Sequence, residues 1–266
     1  MRRAALAILI LTGLAAPAGA QMSTGQDFWP QLVVDIFDGR EIEDGTGIIA
    51  LDAPYRAEDA AIVPMTIRSE PPADSGLRIE KITLVIDNNP SPVAAEFTFG
   101  ERGGVHAIET RVRVDSYTNV HLVAEASDGR LYMVEKFVKA SGGCSAPALK
   151  VAGNAAEIGE MKFLRFDDPA EGVAEAQIMI RHPNNSGLQR DLLTNYYIPP
   201  YFVQDLTVSI GDSLLFRMEG GISISENPTF RVTYSGVDDA AVVIQAKDTK
   251  GAEFMGNWPA RSGSAS

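Results

Sequence analysis

Ile108-Glu109-Thr110-Arg111-Val112-Arg113-Val114 changes character at every step. A period of two is the pattern of a strand with one face in a core and the other in water. It predicts Ile108, Thr110, Val112 and Val114 inside, with Glu109, Arg111 and Arg113 outside. Ile82, Leu84 and Ile86 alternate in the same way with Lys81, Thr83 and Val85. Working outward, residues 61–69, 93–99, 119–126 and 130–138 are further strand candidates. Asn88-Asn89-Pro90, Arg102-Gly103-Gly104 and Ser127-Asp128-Gly129 supply the turns between them. Short strands broken at such intervals predict an antiparallel sandwich.

The same rhythm returns after residue 161, with strands expected over 174–181, 202–210, 229–234 and 241–246. Leu206, Val208 and Ile210 alternate with Asp205, Thr207 and Ser209, and Phe230, Val232 and Tyr234 with Arg231, Thr233 and Ser235. Turns fall at Gly211-Asp212, Gly236 and Lys250-Gly251. The chain therefore reads as all-β: sandwiches over 27–139 and 161–258, a linker over 140–160 and a tail over 259–266. One helix precedes the first block. In residues 27–37, Trp29, Leu32, Val33, Ile36 and Phe37 share a face. Asp27 suits its start, Pro30 its first turn and Gly39 its end. So short a helix gains most of its stability by packing on a neighbouring sheet.

Residues 1–20 have the form of a cleavable secretory signal. Arg2 and Arg3 precede an apolar run over 4–14, and Ala18-Gly19-Ala20 is a small-x-small cleavage site. The run is shorter than the roughly 20 residues that span a bilayer, so a periplasmic protein without membrane insertion is expected. The formal net charge is −12, and loss of Arg2 and Arg3 makes it more negative. That balance disfavours nucleic acid and anionic lipid as partners.

Cys144 is the only cysteine in 266 residues, so no disulfide can form within the chain. In an exported protein this points to an intermolecular bond or a reactive thiol. It sits in Ser141-Gly142-Gly143-Cys144-Ser145, where the glycines resist helix and strand alike. The reading is a flexible arm of Ser141, Gly142, Gly143 and Ser145, with an exposed sulfur at its tip. The alternative is a small buried hydrophobe, the commoner fate of a free cysteine. Lys139 and Lys150 flank the arm, but water screens charges at such positions. His106, His121 and His182 show no metal-ligand spacing with one another or with Cys144. His106 and His121 read as structural, His182 as a turn residue before Pro183. No metal, cofactor or catalytic residue is implied.

Several stretches in order resemble SoxY, the sulfur carrier of bacterial thiosulfate oxidation. They are Ile62-Val63-Pro64, Ile86-Asp87-Asn88-Asn89-Pro90, Glu109 to Val114, Ser127 to Tyr132, Lys136-Phe137-Val138-Lys139 and Gly142-Gly143-Cys144. A second set resembles its partner SoxZ: Ile180-Arg181-His182-Pro183, Ser186-Gly187-Leu188, Ile198 to Val203 and Glu226-Asn227-Pro228. Together they are similar to the fused SoxYZ-like carriers associated with quinoprotein dehydrogenases. The resemblance implies two immunoglobulin-like sandwiches paired within one chain, with Cys144 as the covalent carrier position. It implies a protein that is not an enzyme and serves periplasmic sulfur-oxidation enzymes or a quinoprotein system. The SoxY pattern ends soon after its cysteine, whereas here a whole domain follows. Two other readings stay open: a non-covalent adaptor for a quinoprotein (PQQ) dehydrogenase system, and a cysteine enzyme with a histidine brought near in space.

Overall fold

The computed structural model describes residues 27–102, 104–147, 157–166, 172–236 and 240–260. The expected signal (1–20), linker residues 148–156 and tail residues 261–266 lie outside the described residues. The first block contains α1 (Trp29–Phe37), β1 (Ile42–Asp44), β2 (Ile49–Asp52), β3 (Val63–Ser69), β4 (Ile79–Ile86), β5 (Val93–Phe99), β6 (Gly104–Val112), β7 (Thr118–Ala126) and β8 (Leu131–Val138). The second contains β9 (Met161–Phe166), β10 (Val173–Ile180), β11 (Val203–Ile210), β12 (Ser213–Gly220), β13 (Thr229–Ser235), β14 (Val242–Asp248) and β15 (Glu253–Trp258).

The strands form two layers. One has the order β1-β8-β7-β4-β5-β12-β11-β14-β15, the other β2-β3-β6-β13-β10-β9. Each block places strands in both layers, as an immunoglobulin-like sandwich does. The blocks then join edge to edge twice. β5 pairs antiparallel with β12, from Phe99↔Phe216 to Ala95↔Gly220. β6 pairs antiparallel with β13, from Glu109↔Arg231 to Gly104↔Ser235. Each joint occupies sheet edges that would otherwise expose unpaired backbone groups. Apolar packing crosses the seam as well. Phe97 of the first block lies 6.2 Å from Phe216 and 6.3 Å from Phe230 of the second, ring centroid to centroid. Tandem sandwiches are thus present, with one core running through both.

Local chemistry explains most boundaries. The Asp27 carboxylate accepts from Trp29 N–H at 3.1 Å as α1 begins. Its end comes one residue before Gly39, with Asp38 in the left-handed region at φ 55°. Trp29, Leu32, Ile36 and Phe37 pack on Val85, Val123 and Leu131. The helix thereby covers the outer side of β4, where alternation had placed Val85 in water. β12 was not legible as a strand because Leu215 and Phe216 are both buried. A register shift at Val208/Ser209 of neighbouring β11 breaks the period there. β1 also departs from the antiparallel expectation, running parallel to β8.

Candidate functional site

The site grows from the end of β6. After Val112 the chain leaves the ladder and crosses towards the second block, where Arg113 N–H donates to the Ser223 carbonyl at 2.7 Å. Asn89 clamps this turn. Its amide donates to the Arg113 carbonyl at 2.7 Å and to Ser223 Oγ at 2.9 Å, and its Oδ1 accepts from Asp115 N–H at 2.8 Å. Arg113 was expected in water, but its side chain is 1% exposed. Alternation stops applying once the strand stops. Burial lowers the guanidinium pKa, while the negative charge of Glu226 opposes that shift.

The Gly-Gly-Cys segment docks on the same turn. Gly142 N–H donates to the Asp115 carbonyl at 2.7 Å, and Gly143 N–H to the Val114 carbonyl at 3.0 Å. Val114 N–H in turn donates to the Ala60 carbonyl at 2.8 Å. A Cβ on Gly143 would fall 2.0 Å from the Ala60 oxygen and 2.6 Å from the Val114 oxygen. Only a residue without a side chain fits. Gly142 serves a different need: its φ of +77° lies where other residues are strained.

The second block closes over the segment from the connection between β10 and β11. Ser186 Oγ donates to the Cys144 carbonyl, and Gln189 Nε2 donates to the Ala146 carbonyl at 3.0 Å. Gln189 Oε1 accepts from the Ser186 backbone N–H at 3.1 Å, which ties the Gln189 side chain to the main chain at Ser186. Arg113 spans the gap through long bonds to the Gly143 carbonyl (3.4 Å) and the Asn184 carbonyl (3.3 Å). Its Nε, also buried, has no hydrogen-bond partner among the described residues.

Cys144 is consequently 0% exposed. Burial pushes its thiol up to about 12, the charge of Asp115 pushes the same way, and Arg113 opposes them. The expected exposed sulfur on a flexible arm is therefore corrected. Ser141 and Ser145 face water, Gly142 is half-buried, and Gly143 and Cys144 are enclosed. Ser145 Oγ donates back to the Gly142 carbonyl at 3.3 Å and tightens the turn. The glycines act here through close approach and a left-handed φ. Lys139 stacks its ammonium 4.7 Å from the Tyr55 ring centre, and Lys150 lies outside the described residues.

The histidines sit in other surroundings. His106 meets Ser235 Oγ at 2.7 Å across the β6–β13 joint. His121 lies between Asp87 (2.8 Å) and Glu135 (3.0 Å), stacked 3.7 Å from Trp29. His182 is fully buried, more than a turn position requires, and burial lowers its pKa. Among the described residues, no group of His, Cys, Asp and Glu could hold a metal. No helix among them is long and apolar enough to cross a membrane.

Two family matches fit this assembly. Residues 33–144 match the family described as sulfur oxidation protein SoxY, and residues 164–259 the family described as sulphur oxidation protein SoxZ. The chain is a SoxY domain followed by a SoxZ domain. The SoxY match ends on Cys144. Arg113 of the SoxY domain and Ser186 and Gln189 of the SoxZ domain bond the backbone at and beside that terminal residue. Among solved structures, the sulfur carrier protein SoxY from Chlorobium limicola f thiosulfatophilum is 26% identical, covering 42% of this chain and 90% of its own, with a TM-score of 0.34. A superoxide reductase (neelaredoxin) from Ignicoccus hospitalis is 13% identical, covering 34% of this chain and 78% of its own, with a TM-score of 0.29. No curated protein matches the chain.

Sequence reading found Cys144 but not its enclosure. Asn89 and Ser186 lay within the stretches that resemble SoxY and SoxZ, as did Arg113, so position in those stretches was the available signal. Gln189 gave none, because a polar residue after Gly187-Leu188 reads as an ordinary loop residue.

Proposed function

We propose that this SoxY–SoxZ chain is a periplasmic carrier that holds a sulfur species covalently on Cys144 and presents it to partner enzymes. The observation that carries the reading is that the only cysteine of the chain is the last residue of the SoxY match. The sandwiches supply a scaffold, and chemistry on the cargo belongs to the partners, which are enzymes of sulfur oxidation or of a quinoprotein dehydrogenase system. The expected secretory signal places the chain in their compartment.

Loading is ordinary exchange at sulfur. With tetrathionate, the Cys144 thiolate attacks an inner sulfur and forms a new S–S bond. The central S–S bond breaks and thiosulfate leaves with the electron pair. The thiol proton goes to solvent, the product is a cysteine S-thiosulfonate, and no external oxidant is consumed. Intact-mass analysis after tetrathionate treatment is expected to show one such adduct, lost on reduction and absent from Cys144→Ser. An unmodified chain after prolonged treatment would refute the carrier reading.

One observation favours a second reading, that of a non-covalent adaptor for a quinoprotein system: the thiol is enclosed and its pKa is raised. The Cys144→Ser chain separates the two. An adaptor supports the dehydrogenase-dependent process without its sulfur, and a carrier does not.

A further inference from the structure

We infer that Ser186 and Gln189 of the SoxZ domain are a latch that holds the unloaded Cys144 shut, and that an anionic sulfur adduct forces the segment out. The inference rests on the carrier reading and adds a device that ties exposure to cargo. Its basis is geometric. The segment over 142–146 touches the SoxY domain through two backbone bonds, at Asp115 and Val114, and through the long Arg113 bond to the Gly143 carbonyl. It touches the SoxZ domain through the Ser186 and Gln189 side chains, bonded to the carbonyls of Cys144 and Ala146. Both latch residues are buried, and the Ser186–Gln189 bond makes them one unit.

The enclosure leaves the thiol of Cys144 no exposed surface. Gly143 is already wedged against the Ala60 and Val114 carbonyls, so the backbone cannot sink further to make room. A thiosulfonate adds two sulfur atoms, three oxygens and a negative charge. Arg113 is the one cation among the charges acting on Cys144, and it already faces Glu226, while Asp115 repels an anion. Burying an added anion beside an acidic group is far costlier than breaking a few carbonyl hydrogen bonds. The empty carrier thus hides its thiol from adventitious oxidants and disulfides, and the loaded carrier offers its cargo to enzymes.

The test uses the full chain and two readouts. First, iodoacetamide alkylation of Cys144 is timed in wild type and in Ser186→Ala/Gln189→Ala. Wild type is expected to react on the order of 100-fold more slowly than the unfolded chain, and the double variant roughly tenfold or more faster than wild type. Equal rates in the two folded chains overturn the latch. Second, wild type is loaded with tetrathionate, and amide hydrogen exchange is followed over residues 140–147. This readout does not depend on the variant folding. Faster exchange in the adduct than in the free thiol supports the inference. An adduct whose Gly142 and Gly143 amides stay as protected as before overturns it and leaves the carrier reading intact. No adduct on either chain defeats the carrier reading, and the cargo-driven release with it.

Discussion

The segment over 140–147 and the loop over 190–197 exchange the places their compositions suggest. The first is Ala-Ser-Gly-Gly-Cys-Ser-Ala-Pro, with no large apolar side chain to drive burial, yet Gly143 and Cys144 are enclosed. The second carries Leu192, Leu193, Tyr196 and Tyr197, yet Leu193 is 92% exposed and Leu192 78%. The difference is one of volume before polarity. Between two sandwiches already joined through both layers, only a narrow slot is left, and bare backbone fits it. The bulky loop has no such slot. Its own bonds hold it instead: the Asp191 carboxylate accepts from Leu193 N–H and Thr194 N–H, and the Arg190 guanidinium lies 4.6 Å from the Tyr197 ring centre. Four perturbations strain this contrast, from the largest effect to the smallest.

Removing Arg113 attacks the floor of the slot. Arg113→Ala deletes a fully buried side chain, leaves the Gly143 and Asn184 carbonyls without that donor and strips Glu226 of a nearby counter-charge. The expected loss is about 3–5 kcal/mol in urea unfolding, the range for breaking a buried charged contact. A loss below about 1 kcal/mol would mean that Arg113 does not organise the junction.

Alkaline pH attacks the thiol itself. Burial raises Cys144 from 9.0 to about 12, so the folded chain holds this proton more tightly than the unfolded one. The stabilisation is complete below pH 9 and disappears as pH climbs towards 12. Between about pH 9 and 11, wild type should lose about 2 kcal/mol relative to Cys144→Ser, on a scale of about 1.36 kcal/mol per unit. Parallel stability curves for the two chains would show that the thiol titrates as if solvated.

Gly143→Ala attacks the fit. A methyl group 2.0 Å from the Ala60 oxygen cannot be accommodated by rotating a side chain, since the obstacle is backbone. The segment is expected to leave its slot while both sandwiches stay folded. Cys144 alkylation then rises towards the unfolded-chain rate, on the order of 100-fold. Unchanged alkylation would mean that the slot is loose.

These outcomes bear on what the sequence could reveal. Alternation marked most of the long strands, because each has one face in a shared core and a repeating pattern is enough to say so; β12, with its broken period, is the exception. It failed at Arg113, one residue past the end of β6, where a bond to Ser223 turns the chain inward. It failed on the outer face of β4, because α1, far away in the chain, packs directly over Val85. The cysteine was legible from its count and its glycines, but the meaning of those glycines was not. A Gly-Gly pair can serve freedom or close approach, and only the position of the Ala60 and Val114 carbonyls decides between them. That position continues the pairing of β3 with β6, whose partners lie far apart in the chain.

Leu193→Ser is the smallest perturbation and the sharpest control. The side chain is almost wholly in water, and the Asp191 bonds that shape the loop use backbone N–H groups that the substitution keeps. Stability is expected to change by less than about 0.5 kcal/mol, as for surface positions without a special role. Alkylation of Cys144 should match wild type, since the latch bonds at Ser186 and Gln189 lie outside the turn that Asp191 builds. A clear rise in alkylation would break the contrast between the two regions. It would mean that strain at the loop tip travels back along the stem through Arg190 to Gln189, and that the exposed leucine and the hidden sulfur belong to one mechanical unit.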